Sequence, residues 1–352
     1  MFCPLNWGLG HATRCVPLLH YYAAKGYQIM VAADGVAYRY FQNDFPDVQL
    51  IHLKGFDVKY PPQDASPLKW IWAILPGFVK SIFSEHRELK NILREHSIDI
   101  IISDNRYGVW NRKTYNVILT HQLNVISPLK IPFADAFSRF ISRILVSRFH
   151  ECWIPDFEGN QNLSGKLSHG LKLPKQAKFI GPLSRFSIIN EEVSSEKYEL
   201  LILLSGPEPQ RSIFEKTLLE QLKLNPIKTL IVRGLPGNNE TIALPSHIRM
   251  ISHLPTPLLK AALMNSCLVI CRSGYSSVMD LFCLKKKAVL VPTPGQTEQE
   301  YLAEKLLNEG VFYSISQQNF SLEEAMNKAI DFPDKKYPQI NEQSYRFQYE
   351  QI

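Results

Sequence analysis

Several features are missing from this sequence, and each absence removes a class of protein. None of the six cysteines stands in a Cys-x-x-Cys pair, and no histidine cluster has zinc-finger spacing. Neither a zinc ribbon nor a dithiol redox centre is therefore encoded. Cys3, Cys15, Cys152, Cys267, Cys271 and Cys283 are scattered, mostly inside apolar runs, and read as reduced, buried structural thiols. The longest apolar stretches, such as 70–78, fall far short of the roughly 20 residues of a spanning helix. The first residues run directly into an apolar segment and a glycine turn, without the regions of a secretion signal; the expected location is cytoplasmic. There is no contiguous basic stripe and no aromatic RNA-binding signature, so nucleic acid is not an expected partner.

What is present describes an ordinary packed protein. Hydrophobic residues make up 45% and charged residues 20%, which excludes a disordered or fibrous chain. A formal charge of +6, from 39 basic and 33 acidic residues, suits phosphate-bearing ligands or an anionic membrane surface. At 352 residues the chain exceeds the size at which one hydrophobic core stops growing, so two domains with a cleft between them are expected.

Strand-like apolar runs alternate with helical patterns, the signature of parallel sheets wound by crossover helices. In the first half the strands are read at 1–5, 27–33, 48–53, 98–102, 117–120 and 151–154, with helices at 13–25 and 67–96. From 171 to 197 the pattern lapses into glycine, proline, serine and charge, which reads as a linker. The alternation restarts with strands at 200–204, 229–233, 250–252, 268–271 and 288–291, and helices near 212–222, 257–265, 276–283, 299–308 and 322–330. The expected fold is α/β: two Rossmann-like parallel-sheet domains facing a central cleft. The first spans 1–183, the linker 184–198 and the second 199–335. Ligands of such sheets bind at the strand C-terminal ends, so function is sought in the loops that follow strands.

The loop after the first strand, Asn6-Trp7-Gly8-Leu9-Gly10-His11-Ala12-Thr13-Arg14, is a glycine turn that delivers a histidine to a helix start. It is not a dinucleotide fingerprint, because Thr13 stands where the third glycine belongs. After the strand at 98–102 comes Ser103-Asp104-Asn105-Arg106-Tyr107-Gly108. A carboxylate there suits the task of holding the imidazole of His11 in one tautomer. His11 and Asp104 are accordingly the candidate catalytic residues. Helix capping and turn formation are equally open readings of these two. Gly8, Gly10, Arg14, Asn105, Arg106 and His121 are assigned to the cleft or the acceptor.

In the second half, Cys271-Arg272-Ser273-Gly274-Tyr275-Ser276-Ser277-Val278-Met279-Asp280 follows an apolar strand and opens a helix. A glycine and hydroxyls at a helix start offer N–H groups and a favourable dipole to a diphosphate. Asp280, one turn in, is placed to accept from ribose hydroxyls. The next loop carries Gln296, Glu298 and Gln299, suited to sugar hydroxyls.

Taken together, Arg272-Ser273-Gly274, Asp280 six positions after that glycine, Val291-Pro292 and Gln299-x-Tyr301 resemble the donor domain of the lipid-linked peptidoglycan N-acetylglucosaminyltransferases, glycosyltransferase family 28. The resemblance implies a GT-B fold, with 336–352 as a tail helix crossing back to the first domain. It also implies a nucleotide-sugar donor, a UDP-sugar. The diphosphate role falls to Gly274 with Ser276 and Ser277, the ribose role to Asp280 and the sugar role to Gln299; Tyr275 is assigned to the donor site beside them. The sequence departs from the family pattern at Asp280, in place of a glutamate, and at Glu300, in place of a second glutamine. Ser205-Gly206-Pro207-Glu208-Pro209-Gln210-Arg211 occupies the position of a glycine-rich phosphate loop, with two prolines; Ser205 and Gly206 are assigned to the donor, and Arg211 as compensating charge.

The expected reaction is inverting transfer of a hexose or N-acetylhexosamine to the hydroxyl of a glycan or glycolipid acceptor. His11 would act as base, with no metal and no cofactor; the lack of an Asp-x-Asp sequence agrees with a helix dipole in the metal's place. A nucleotide-sugar hydrolase or epimerase, or a non-catalytic donor-binding subunit, are the alternatives on the same fold. Segments 67–80 and 128–148 mix Trp70, Trp72, Phe78, Phe133, Phe137 and Phe140, with Phe149 nearby, and Lys69, Lys80, Lys130, Arg139, Arg143 and Arg148. That mixture suits a peripheral contact with anionic lipid at the inner face of the plasma membrane, and equally helices that merely cover a sheet.

Overall fold

The computed structural model describes residues 1–56, 67–126, 132–188, 196–235 and 243–333, without the side chains of 67–74, 132–135 and 137. The chain divides between Leu183 and Ser184 into two compact units. The first contains β1 (Phe2–Pro4), α1 (Leu9–Ala24), β2 (Met30–Ala33), α2 (Gly35–Asp44), β3 (Gln49–His52), α3 (Pro67–Glu95), β4 (Ile100–Asp104), β5 (Tyr115–Leu119), α4 (Pro132–Val146), β6 (Glu151–Ile154) and β7 (Ala177–Phe179). The seven strands are parallel, in the order β3-β2-β1-β4-β5-β6-β7. Buried on both faces, the central strands read as continuous apolar runs. Ile101 packs with Leu89 and Ile92 of α3, and Ile118 with Val146 of α4, Cys152 and Ile154.

The second unit repeats the plan with β8 (Tyr198–Leu203), α5 (Gln210–Leu224), β9 (Thr229–Val232), β10 (Ile248–Ile251), α6 (Thr256–Met264), β11 (Ser266–Cys271), α7 (Tyr275–Cys283), β12 (Ala288–Leu290), α8 (Thr297–Asn308), β13 (Tyr313–Ser314) and α9 (Leu322–Asp331). Its parallel order is β10-β9-β8-β11-β12-β13. Leu200, Ile202, Ile231, Ile270 and Val289 form one face of the sheet. They pack against Phe214, Leu218 and Leu222 of α5 and Leu322, Ala325 and Ala329 of α9. In both sheets the winding reverses beside the first strand, at β1/β4 and at β8/β11. Ligands of doubly wound sheets bind outside the strand ends at such points.

The structure corrects the sequence reading in several places. Helix α1 begins at Leu9 rather than Thr13, because the chain turns at Gly8, whose φ is +96°. His11 therefore lies in its first turn. Asp104 closes β4 instead of standing in the loop beyond it. Strand β7 falls inside the supposed linker and β13 was not expected; both are edge strands with one neighbour and carry little apolar pattern. Helix α2 was also missed. All six cysteines are free thiols, but Cys267 is exposed at the start of β11 and Cys283 is half-buried. Residues 336–352, and the side chains of Lys69, Trp70, Trp72, Lys130, Phe133 and Phe137, lie outside the described residues.

Candidate functional site

At β1/β4, strand register sets Asp104 beside Pro4, and the turn at Gly8 brings the first turn of α1 over it. Asp104 is fully buried. Its Oδ1 lies 3.0 Å from His11 Nδ1, and Arg14 donates to it from Nε and Nη2 in a two-point fork. Burial alone would raise this carboxyl, but Arg14 and then His11 outweigh it and hold it down to about 2. The His11 side chain keeps 15% of its surface exposed, so one edge of an oriented imidazole stays accessible. Arg14, expected at the acceptor, is instead 2% exposed and also reaches His121 Nδ1 at 3.0 Å. His121 is likewise buried. Asn105 has a left-handed φ of 54°, and its buried Oδ1 has no hydrogen-bond partner among the described residues.

Arg106 is a correction. Its guanidinium is buried and donates to Glu85 Oε1 at 3.0 Å and to the carbonyls of Leu53 and Lys54 at 3.0 and 2.9 Å. It ties the ends of β3 and β4 to α3, with Nε, Nη1 and Nη2 each engaged inside the domain. Gly108 packs so close to the Ile82 carbonyl and Glu85 that a side chain there would collide. Trp7, unassigned by the sequence, stays 39% exposed while its indole N–H is pinned to the Phe56 carbonyl at 3.1 Å.

At β8/β11 the chemistry is different. Helix α7 starts at Tyr275 with Gly274 as N-cap, has no side-chain cap and carries no acidic residue in its first turn. A side chain added at Gly274 would meet nothing within 4 Å, so the approach to the helix start is open. Ser276 and Ser277 are half-buried there. Tyr275 is corrected: only 2% exposed, it belongs to the core. Exposed Ser205 and Gly206 follow β8, with Gly206 at φ +101°. Asp280 accepts from Ser184 Oγ at 2.6 Å and faces Arg185 Nε at 3.7 Å. Burial pushes its carboxyl up to about 6, against the pull of Arg185 and Ser184.

Two further donor residues, Gln296 and Gln299, brace their own loop. Gln299 Oε1 accepts from the Thr293 N–H at 2.9 Å while its Nε2 donates to Gln296 Oε1. Glu298 lies half-buried in the first turn of α8, and Glu300 accepts from the Gly295 N–H. Arg211 is the clearest correction in this unit. Its guanidinium is spent on Glu208 and Glu215 at 2.7 Å each, and Glu215 is shared with Arg233. The charge expected to compensate a stiff loop is neutralised inside it. Arg272 is buried beneath the loops and donates to Val291 and Pro292 carbonyls, the Gln210 carbonyl and Gln317; burial lowers it to about 10.

Residues 254–351 match the profile of the glycosyltransferase family 28 C-terminal domain, and residues 5–129 that of glycosyl transferase family 1. The chain has the GT-B fold and is a family 28-like glycosyltransferase. The glycotransferase of kitacinnamycin aligns over 99% of this glycosyltransferase and 93% of its own chain, with TM-score 0.65 and 14% identity. Spinosyn rhamnosyltransferase SpnG, complexed with thymidine diphosphate, aligns over 94% and 91% with TM-score 0.60 and 13% identity. MurG of Acinetobacter baumannii aligns over 94% and 89% with TM-score 0.52 and 13% identity. No curated protein matches in sequence.

The residues that the sequence did not reveal in this glycosyltransferase are Trp7, Glu85, Ser184 and Arg185, together with the inward role of Arg14. Only Arg14 had a legible signal: it stands three residues after His11 and so shares its helix face.

Proposed function

We propose that this glycosyltransferase moves a hexose or N-acetylhexosamine from a UDP-sugar to an acceptor hydroxyl, with inversion and without a metal ion or cofactor. The observation that carries the reading is the His11–Asp104 pair: a carboxylate held ionised in the interior, 3.0 Å from one nitrogen of a histidine that is 15% exposed. In the proposed step His11 Nε2 accepts the hydroxyl proton as the acceptor oxygen bonds to the anomeric carbon. The bond from that carbon to the β-phosphate oxygen breaks, and the nucleoside diphosphate leaves. Its added charge falls to the amide end of α7, beside Ser276 and Ser277. Asp280 receives the ribose hydroxyls, and Gln296, Glu298 and Gln299 stand nearest the sugar.

The family 28 resemblance favours a UDP-sugar, while the thymidine diphosphate of SpnG makes a dTDP-sugar the outcome to exclude. A glycan or glycolipid is the proposed acceptor, with Trp7 available to stack on it. Peripheral attachment to anionic lipid at the cytoplasmic face is proposed from α3, where Leu75, Val79 and Phe83 recur every fourth residue at 43%, 43% and 72% exposure. Phe140 and Ile144 of α4 are 59% and 43% exposed. No described helix is long and apolar enough to cross a membrane.

The test is incubation with a panel of nucleotide sugars, scored by thermal shift and by product with and without acceptor. Stabilisation by UDP or a UDP-sugar is expected, with sugar released only onto acceptor. Absence of any shift at millimolar nucleotide would overturn the donor reading. Rapid release of free sugar without acceptor would make the protein a hydrolase.

A further inference from the structure

Three side chains in the first domain share one arginine, and the sharing decides where two protons sit. Arg14 has only hydrogens to give. Its Nε and Nη2 donate to the two oxygens of Asp104, and its Nη1 lies 3.0 Å from His121 Nδ1. Two donors do not bond each other, so His121 Nδ1 accepts, and the proton of that neutral ring is on Nε2. His11 is the opposite case. Its Nδ1 faces Asp104 Oδ1 at 3.0 Å, and an ionised carboxylate only accepts. Nδ1 therefore carries the proton and leaves the lone pair on Nε2.

Arg14 Nη2 also lies 2.9 Å from His11 Nδ1, which would suit a bare Nδ1. That alternative sets a bare Nδ1 against the Asp104 lone pairs across 3.0 Å and takes from Asp104 the hydrogen of His11, while one of the two Nη2 hydrogens still goes to Asp104. The groups around the pair are Asp104 from β4, Arg14 and Cys15 from α1, Tyr107 from the loop after β4 and His121 from the loop after β5. The Cys15 thiol points at Asp104 Oδ2 from 3.9 Å. With Arg14 giving to Asp104 and to His121, and His11 giving to Asp104, both carboxylate oxygens meet hydrogens and no lone pair faces another.

We propose that Arg14 is a positioning residue that sets His11 and His121 in opposite tautomers: by holding Asp104 in place it keeps the His11 proton on Nδ1 and leaves Nε2 bare, and by donating to His121 Nδ1 it puts that ring's proton on Nε2. The catalytic meaning rests on His11 being the base, as proposed above, but the tautomers themselves are readable without turnover. A side chain three residues from the base on the same helix thus sets which nitrogen does the work, and keeps the second histidine from offering a competing lone pair at Nδ1.

The experiment is long-range 1H–15N correlation of the full-length protein labelled at its 10 histidines, near pH 7.5. His11→Gln and His121→Gln assign the two rings by loss of signal. The expected wild-type result is the Nδ1–H pattern for His11 and the Nε2–H pattern for His121. Arg14→Lys, which keeps the charge and loses the fork, should remain folded by circular dichroism and show averaged tautomers at both rings. Its kcat should fall on the order of 10- to 100-fold with donor KM little changed; Arg14→Met should fall further. Both rings in one tautomer in the wild type, or patterns unaltered in Arg14→Lys, would overturn the proposal. Opposite tautomers together with near-normal transfer by His11→Ala would uphold the Arg14 role while rejecting His11 as base.

Discussion

The two switch points occupy the same place in two sheets of the same winding, yet they handle charge in opposite ways. At β1/β4, Asp104 meets a two-point arginine fork and a histidine, and stays ionised far below its usual range, at about 2. At β8/β11, Asp280 has one hydroxyl and an arginine nitrogen 3.7 Å away, and burial carries it up to about 6. The first carboxylate is already satisfied and can spend its charge orienting an imidazole. The second is short of donors, and a ligand's hydroxyls would supply them. The two switch points are thus distinguished by how completely each aspartate is answered, as the proposed division between a base and a donor site requires.

The sharpest way to break this contrast is to neutralise each aspartate in turn. Asp104→Asn leaves Arg14 buried without its counter-charge and should cost about 3 to 5 kcal/mol of stability in urea unfolding. Asp280→Asn should be neutral or stabilising for the free protein near pH 7, since it removes a carboxylate whose ionised form the fold disfavours. Equal losses from both would show that the two sites are not electrostatically distinct.

A smaller effect separates them in binding. If ribose hydroxyls complete Asp280, then Asp280→Ala should weaken UDP by roughly 1.5 to 3 kcal/mol, the worth of hydrogen bonds to a charged group. Binding favours the carboxylate, so wild-type affinity should fall as pH drops through about 6. Calorimetry at pH 7.5 and 5 should show this fall, with Asp280→Asn giving the part that belongs to the phosphates alone.

The pH dependence of stability should carry both signs. Asp280, raised in the folded state, disfavours folding when ionised, so its penalty lifts as pH falls from about 6 toward its usual 3.8. Asp104, lowered in the folded state, contributes stability above its usual 3.8 that is lost as pH falls toward about 2. Urea midpoints should therefore rise modestly from pH 7 to 5 in the wild type, rise less in Asp280→Asn, and fall below pH 4 in both. The smallest expected effect is peripheral: sedimentation with anionic vesicles that weakens with salt and with Phe83→Ser. Equal sedimentation with neutral vesicles would remove the electrostatic part of that idea.

Legibility in the sequence followed locality. Parallel strands buried on both faces write themselves as apolar runs, so the alternation and both glycine loops were readable, as was the delivery of His11. Helix α2 has a signal of its own, in Asp34 as N-cap and the spacing of Ala37, Tyr40 and Phe41. Edge strands of two or three residues leave no such record. Arginines were the consistent failure, because an arginine in a polar loop looks the same whether it faces a ligand or a buried acid. Arg106 finds Glu85 21 residues back, and Asp280 finds Ser184 96 residues back. Arg211 was a nearer miss, since Glu208 and Glu215 stand at helical spacing on either side of it.

The central claim, that proton transfer and donor binding reside at separate switch points, is tested most directly by measuring turnover and UDP affinity together in His11→Ala. Turnover should fall by about 10²- to 10⁴-fold, the usual contribution of a general base, while the dissociation constant for UDP stays within twofold of wild type. Asp104→Asn should lower turnover in the same direction but less severely. Near-normal transfer by His11→Ala, or loss of UDP binding in a mutant that remains folded, would contradict the account.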